Sequence, residues 1–152
     1  MQNIEFIARG VCIKERHVLL CRGKKAKHMY LPGGHIEYRE TAKYALAREI
    51  REELGIVAEV GQFLGCCEHT FMQHEAWHAE INLIFEVTLP AVKNLEPLAA
   101  QEDWITFLWW PIEKLHDVPF EPVGLRDTIK QWVATKGAKF VTSGDGWQDG
   151  VF

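Results

Sequence analysis

The sequence predicts an α/β (α+β) fold, because strand-like and helix-like segments alternate along the chain in a mixed order. Segments in which apolar and polar residues alternate precede a predicted amphipathic helix, and more of them follow it. A second predicted amphipathic helix lies near the end. The chain has 152 residues, of which 47% are hydrophobic and 25% are charged. These values predict one domain over residues 1–152 with its own apolar core.

The first third of the chain contains two predicted strands, at residues 4–13 and 17–21, joined by a hairpin turn of polar residues. A basic loop follows at 22–27. Pro32, Gly33 and Gly34 come next, and two glycines in a row allow unusual backbone angles and a close approach of the main chain to a ligand.

Residues 41–54 are predicted to form a helix, because Leu46, Ile50 and Leu54 recur every four residues and give one apolar stripe. Thr41 is the predicted N-cap and Gly55 the predicted left-handed C-terminal cap.

The rest of the chain alternates again, with predicted strands at 56–67, 78–88 and 104–110 and a second helix at 123–135. The strand at 78–88 has strict alternation of apolar residues. The segment 137–152 is a turn-rich tail, and we assign it no function.

Composition narrows the class of protein. The formal net charge of −4 argues against a general nucleic-acid binder, which usually has a basic face. No apolar run approaches the roughly 18 residues of a membrane span, and the first residues lack the pattern of a signal peptide. The four cysteines include no C-x-x-C pair, which predicts reduced thiols and a cytoplasmic location.

Three glutamates of the first helix, Glu49, Glu52 and Glu53, are spaced i, i+3 and i+4 and therefore lie on one side of it. Carboxylates this close repel one another and need a counter-charge, which Mg²⁺ or Mn²⁺ would supply through hard oxygen ligands. Arg48 neutralises part of the charge. The alternative is a solvated acidic face with ion pairs, but the glycine loop before the helix favours a site.

These residues complete a longer pattern, G-x5-E-x7-R-E-U-x-E-E-x-G-U with U aliphatic, which resembles the Nudix box. Its fixed positions are filled by Gly34, Glu40, Arg48, Glu49, Ile50, Glu52, Glu53, Gly55 and Ile56. Because nine positions match within residues 34–56, the resemblance is highly specific. It implies an α/β/α sandwich of the Nudix type with a mixed central sheet.

The resemblance also implies roles for individual residues. Arg48 would hold the glutamates in place, and Glu40 would support the loop. Glu52 or Glu53 would act as the general base, and Glu102, with Asp103 as second choice, would be the acid that the family often places before a late strand. The implied metal ligands are Glu49, Glu52, Glu53 and the backbone carbonyl of Gly33.

Members of the family typically hydrolyse a nucleoside diphosphate linked to another moiety, with Mg²⁺ or Mn²⁺. Residues 71–74 lack the proline or tyrosine that typical ADP-ribose and dinucleoside-polyphosphate subclasses place there. A nucleoside triphosphate or similar nucleotide is therefore the expected substrate. The alternatives are an ADP-ribose or sugar-nucleotide pyrophosphatase and a ligand-binding sensor without catalysis. We expect no association with a membrane and no stable nucleic-acid partner. A homodimer is an open alternative to a monomer.

Several further side chains are candidates for binding the substrate. Each of them has a simpler alternative as a packed or solvated residue. Tyr30 and Phe71 are among the aromatic residues that could stack on a base. The predicted substrate-binding residues are Gly33, Gly34, Arg39, Lys27, Arg9 and His78.

Overall fold

A computed structural model describes residues 3–135 and 137–145 of the chain. The elements are β1 (Ile4–Val11), β2 (Ile13–Lys14), β3 (His17–Gly23), β4 (Gly33–His35), α1 (Ala42–Leu54), β5 (Glu59–Gln73), β6 (Ala76–Thr88), β7 (Ile105–Pro111), a 3₁₀ helix (Ile112–Asp117), α2 (Leu125–Thr135) and β8 (Lys139–Gly144). Within this described part of the chain, no helix is long and apolar enough to cross a membrane.

The strands form two sheets. A five-stranded sheet has the order β4-β1-β6-β5-β8, and a three-stranded sheet has the order β2-β3-β7. In the larger sheet β1 pairs with β6 in parallel and β5 pairs with β8 in parallel, whereas the other pairs are antiparallel. The predicted mixed central sheet is therefore confirmed.

Two apolar clusters show that the sheets lie between the helices. Successive residues of β3 alternate between them, because side chains of a strand point to opposite faces. Leu19 packs in the cluster that contains Leu46 of α1, and Leu20 packs in the cluster that contains Ile129 of α2. Each helix thus covers one side of the sheets, which is the predicted sandwich.

Helix α1 begins and ends as predicted. The Thr41 side chain accepts a hydrogen bond from the backbone N–H of Tyr44 at 3.3 Å. Gly55 has φ of 67°, and its N–H donates to the Arg51 carbonyl at 2.8 Å. Both ends are fixed by local hydrogen bonds, so the position of each glutamate on the helix is also fixed.

Two predicted strands have wrong bounds for a common reason, which is that pairing with other strands sets where each one begins and ends. The predicted strand 4–13 is divided at Cys12, because β1 pairs with β6 in one sheet and β2 pairs with β3 in the other. Strand β5 continues to Gln73 because it pairs with β6 along a hairpin that turns at residues 74–75.

The turn-rich tail contains a strand. β8 pairs in parallel with β5, a partner some seventy residues earlier in the chain, and turn-rich composition gives no indication of such a pairing. The remainder of the predicted turn-rich tail, residues 146–152, lies outside the described residues.

Candidate active site

Arg48 is the centre of the ion-pair network on α1. Its Nε and Nη2 donate to the two carboxylate oxygens of Glu40 at 2.7 and 3.0 Å, which is a bidentate pair. Its Nη1 donates to Glu49 at 3.1 Å and to Glu52 at 3.2 Å, and Nη2 also reaches the His35 carbonyl at 3.1 Å. One side chain therefore ties the loop before α1 to two of the three glutamates.

The loop itself is held by Glu40. Besides its pair with Arg48, the Glu40 carboxylate accepts the backbone N–H of Glu37 at 3.0 Å. The hydrogen bonds from Arg48 and then from Glu37 hold the pKa of Glu40 below its usual value, so the carboxylate stays ionised. The hydrogen bonds that Arg48 donates, first to Glu40 and then to Glu49, raise the pKa of Arg48.

At both predicted loop glycines an added Cβ would collide with a neighbouring group. At Gly33, where φ is +138°, an added Cβ would lie 2.0 Å from the Ala8 carbonyl oxygen of the neighbouring strand. At Gly34 an added Cβ would lie 2.4 Å from the carboxyl carbon of Glu49. Gly34 therefore leaves the space in which the Glu49 carboxylate packs against the loop.

Glu53 is the buried member of the glutamate group, with 6% of its surface exposed. Its Oε2 has no hydrogen-bond partner among the described residues. Burial, then the nearby charge of Glu49, raises the pKa of Glu53 to about 7, although Arg9 opposes this shift. A buried carboxylate oxygen without a partner is costly unless a cation or a proton is supplied.

The donor set fits a divalent cation, because it consists of carboxylates that repel one another and includes the unpartnered Oε2 of Glu53. The side chains are not gathered around a metal position, however. Within the described residues no three His, Cys, Asp or Glu side chains form a group that could hold a metal ion. Glu49 and Glu52 instead both accept from Arg48 Nη1.

The loop before β7 reaches the end of α1 that has the glutamates. The backbone N–H of Gln101 donates to the Glu53 carbonyl at 2.7 Å. Glu102 follows in this turn, is exposed, and adds to the negative potential that raises the pKa of Glu53. The structure thus brings Glu102 close to the glutamates, whereas Asp103 has no such effect on Glu53.

A cleft of about 700 Å³ has Arg9 in its wall, and none of the three glutamates of α1 lines it. Arg9 connects the cleft to the backbone before α1, since its Nη1 donates to the carbonyls of Leu31 at 3.1 Å and Gly33 at 3.2 Å. Its guanidinium lies 5.2 Å from the centre of the Tyr30 ring, within range of a cation–π contact. The other lining residues are His28, Tyr30, His69, Thr70, Phe71, Met72, Gln73, Glu80, Glu121, Pro122, Val123, Gly144 and Asp145.

Of the six predicted substrate-binding residues, only Arg9 lines this cleft, and the other five do not. Gly33 and Gly34 lie in β4. Lys27 is exposed in the basic loop, and Arg39 is exposed with φ of 70°. His78 stacks on Phe71 instead, with ring centres 5.1 Å apart. His69 covers Phe71 at 5.2 Å, so the ring of Phe71 is stacked against two imidazoles.

Sequence reasoning missed Asn82 and Glu121 and gave Glu80 little weight. Glu121 lines the cleft from the segment before α2, with its carboxylate 3.8 Å from His69 Nε2. Asn82 is completely buried in the centre of the larger sheet. An asparagine within an alternating apolar strand was the one sign in the sequence that could have indicated it, because buried amides need partners.

Comparison with known proteins shows the family of this chain. The model of the NUDIX domain family matches residues 5–132. An ADP-ribose pyrophosphatase of Methanocaldococcus jannaschii is 37% identical over 59 residues, which cover 37% of this chain and only 35% of that relative.

Solved structures show the same fold. A MutT protein from Bacillus halodurans superposes with a TM-score of 0.72 at 16% identity, covering 92% of this chain and 89% of the other. A MutT protein from Methanosarcina mazei gives a TM-score of 0.68 at 22% identity, covering 88% and 95%. With the family model matching most of its length and the box residues placed as described, the chain belongs to the NUDIX domain family.

Proposed function

We propose that this protein hydrolyses a diphosphate bond in a nucleoside diphosphate linked to another moiety, with Mg²⁺ or Mn²⁺, and that nucleoside triphosphates or similar nucleotides are its substrates. The observation that carries the proposal is the buried Oε2 of Glu53, which has no partner among the described residues. Glu53 lies beside Glu49 and close to Arg9, which lines a large cleft. Such an arrangement costs stability and is typical of functional sites.

The glutamates of α1 and the Gly33 carbonyl would hold the cation. When bound, the cation would offset the charge of the diphosphate and lower the pKa of a water molecule. Glu53 would take the proton of the attacking water at Oε2, and Glu52, which is exposed and lies one residue earlier, is the alternative base. Arg48 would keep Glu49 and Glu52 oriented through its Nη1.

Two groups around the site would complete the reaction. Arg9 is held against the Gly33 carbonyl and lines the cleft, so it would bind a phosphate oxygen of the substrate. Glu102 lies on the loop whose Gln101 N–H donates to the Glu53 carbonyl, and it would act there as the further acid of the reaction. Gly34 would act only by leaving room for Glu49.

A second candidate substrate class is ADP-ribose and the sugar nucleotides. It is favoured by the relative that is 37% identical over 59 residues, which is named an ADP-ribose pyrophosphatase. The absence of a proline or tyrosine at residues 71–74 argues the other way. Both classes contain the same diphosphate, so the glutamate site serves either one.

The test is a hydrolysis screen with Mg²⁺ and with Mn²⁺ over nucleoside and deoxynucleoside triphosphates, ADP-ribose, sugar nucleotides and dinucleoside polyphosphates. Glu53→Gln should lower kcat by about 10²- to 10⁴-fold, because it removes a base and a negative ligand. Glu52→Gln should lower it as well. Glu59→Gln is the matched control, since Glu59 is an exposed glutamate of β5.

The outcomes separate the alternatives. Turnover of triphosphates that Glu53→Gln abolishes supports the proposal. Turnover confined to ADP-ribose or sugar nucleotides selects the second class. Full activity in both glutamine variants would contradict the assignment of the site, and binding of a nucleotide without any turnover would indicate a sensor.

A further inference from the structure

Asn82 lies at the centre of a polar strip on the larger sheet. It is opposite Ile7 of β1 and Cys67 of β5, and residues that are directly opposite in neighbouring strands share a face. Arg9, two residues after Ile7, and Glu80, two residues before Asn82, lie on the same face. Both of them line the cleft, whereas Asn82 is completely buried beneath it.

The hydrogen bonds of Asn82 give its amide one orientation. Its Nδ2 donates to Glu80 Oε2 at 3.2 Å and approaches the Cys67 carbonyl at 3.5 Å. Both of these partners are acceptors, so the donor side of the amide is fixed toward them. The Oδ1 atom is therefore directed at the remaining neighbour, Arg9 Nε, at 3.5 Å.

Arg9 is held on several sides at once. Nη1 donates to the carbonyls of Leu31 and Gly33, Nε faces Asn82, and the guanidinium lies over the Tyr30 ring. Among the described residues, Nη2 has no hydrogen-bond partner. A guanidinium with one unused edge at a cleft wall has the geometry for binding an oxyanion.

We propose that Asn82 and Glu80 are positioning residues that fix the guanidinium of Arg9, so that its Nη2 binds an anionic oxygen of the substrate. The proposal rests on the proposed function, since it takes the cleft to be the substrate site. Glu80 orients the amide of Asn82, and Asn82 orients Arg9. Neither residue needs to touch the substrate.

The proposed roles of Asn82 and Glu80 can be distinguished from two simpler roles. If Asn82 only filled the core, changing it would alter stability without a selective effect on substrate binding. If Glu80 acted on the substrate through its charge, any neutral residue would be equally harmful at that position. In the proposed arrangement Glu80 acts only by orienting Asn82. For this it needs only an acceptor oxygen, which glutamine also provides.

The first experiment compares Glu80→Gln with Glu80→Leu, using the best substrate of the hydrolysis screen. Glu80 is only half-buried at the cleft, so neither change threatens the fold. We expect Glu80→Gln to keep KM within about threefold and Glu80→Leu to raise KM about tenfold with kcat nearly unchanged, as for the loss of one charge-assisted contact. Equal losses in the two variants would overturn the proposal.

The second experiment observes Arg9 without substrate. The Nε–H resonance of Arg9, assigned by its disappearance in Arg9→Lys, should exchange slowly with water in the wild type and in Glu80→Gln. It should exchange faster in Glu80→Leu and in Asn82→Leu, and Asn82→Leu should also raise KM about tenfold. Unchanged exchange in both leucine variants would refute the orienting role.

The two proposals can fail separately. If the wild type hydrolyses nothing in the screen, the proposed function is wrong. The exchange measurement still tests whether Asn82 and Glu80 fix the guanidinium of Arg9. Hydrolysis with wild-type KM in Asn82→Leu, in a variant that melts near the wild-type temperature, removes this inference and leaves the proposed function standing.

Discussion

Two regions adjoin at Arg9, and they are built in different ways. The glutamate end, consisting of Glu40, Arg48, Glu49, Glu52 and Glu53, comes from fourteen consecutive positions and is organised by one arginine. The cleft wall, formed by Arg9, Tyr30, His69, Glu80 and Glu121, comes from segments that meet only through sheet pairing, such as Arg9 and Asn82 at a separation of 73 residues.

The difference affects how the two regions respond to change. At the glutamate end local helical spacing sets the geometry, and the like charges are held together by Arg48, so electrostatics should control it. In the cleft wall the positions of side chains depend on strand register, so single changes there should have smaller and more distributed effects. Four predictions test this contrast, in order of decreasing effect.

The largest effect concerns Glu53 in the metal-free protein. Its pKa is raised to about 7 by burial and then by Glu49, above the value of 4.5 taken for an unperturbed glutamate. The folded state therefore holds the proton more tightly, and the free energy of unfolding should fall as pH rises from about 4.5 through 7. A shift of this size corresponds to about 3 kcal/mol above pH 7.

Urea unfolding in EDTA measures this effect. Glu53→Gln should be more stable than the wild type at pH 8, and the gap should close toward pH 5. Glu59→Gln should follow the wild type at both pH values. A gap of the same size at pH 5 and pH 8 would show that the charge of Glu53 is not the cause.

The next effect concerns the arginine that organises the glutamate end. Arg48→Lys keeps a positive charge but cannot make the bidentate pair with Glu40 and also reach Glu49 and Glu52. We expect kcat/KM to fall about 10- to 100-fold, as is common for residues that orient metal ligands. The apparent affinity for Mn²⁺, measured by titration, should fall with it.

Arg51→Lys serves as the control, because Arg51 is an exposed arginine of the same helix. An equal loss in Arg51→Lys would point to the overall charge of α1 instead of the Arg48 hydrogen bonds. Unchanged kcat/KM in Arg48→Lys would contradict the organising role of the guanidinium.

The helix on which the glutamates lie was predictable from the sequence. The period of a helix converts spacing directly into geometry, and Thr41 and Gly55 provide the start and the end of that helix. The α/β class was also predictable, from alternation and from the order of elements. The mixed central sheet and the sandwich were implied by the resemblance to the Nudix family.

The cleft wall was not predictable in the same way. Arg9 was named as a candidate, but its contacts to Gly33 and Asn82 exist only because β1 lies between β4 and β6. Strand β8, which contributes Gly144 to the cleft, pairs in parallel with β5 and has no local hairpin to reveal it. Register between distant strands is a global property, and one sequence does not encode it in local spacing.

A smaller effect should follow from Gly34→Ala. The added Cβ would lie 2.4 Å from the carboxyl carbon of Glu49, and the flexible side chain can move aside without unfolding the loop. We therefore expect a folded protein in which Glu49 is displaced and kcat falls about tenfold. Gly23→Ala is the control, since a Cβ there meets nothing closer than 3.6 Å. Full activity in Gly34→Ala would mean that the position of Glu49 is not critical.

The smallest effect should come from the cleft wall, at Phe71. Stacking of a base on an aromatic ring contributes about 1–3 kcal/mol, so removing a stacking platform would raise KM by roughly five- to 150-fold. The Phe71 ring is already stacked against His69 and His78, at 5.2 and 5.1 Å. Phe71→Leu should therefore raise KM less than about threefold, from loosened packing alone. Trp77→Leu, an exposed aromatic of the same hairpin, gives the baseline for loss of a ring. A rise above tenfold in Phe71→Leu alone would show that a base displaces one of the imidazoles and that the cleft wall rearranges when substrate binds.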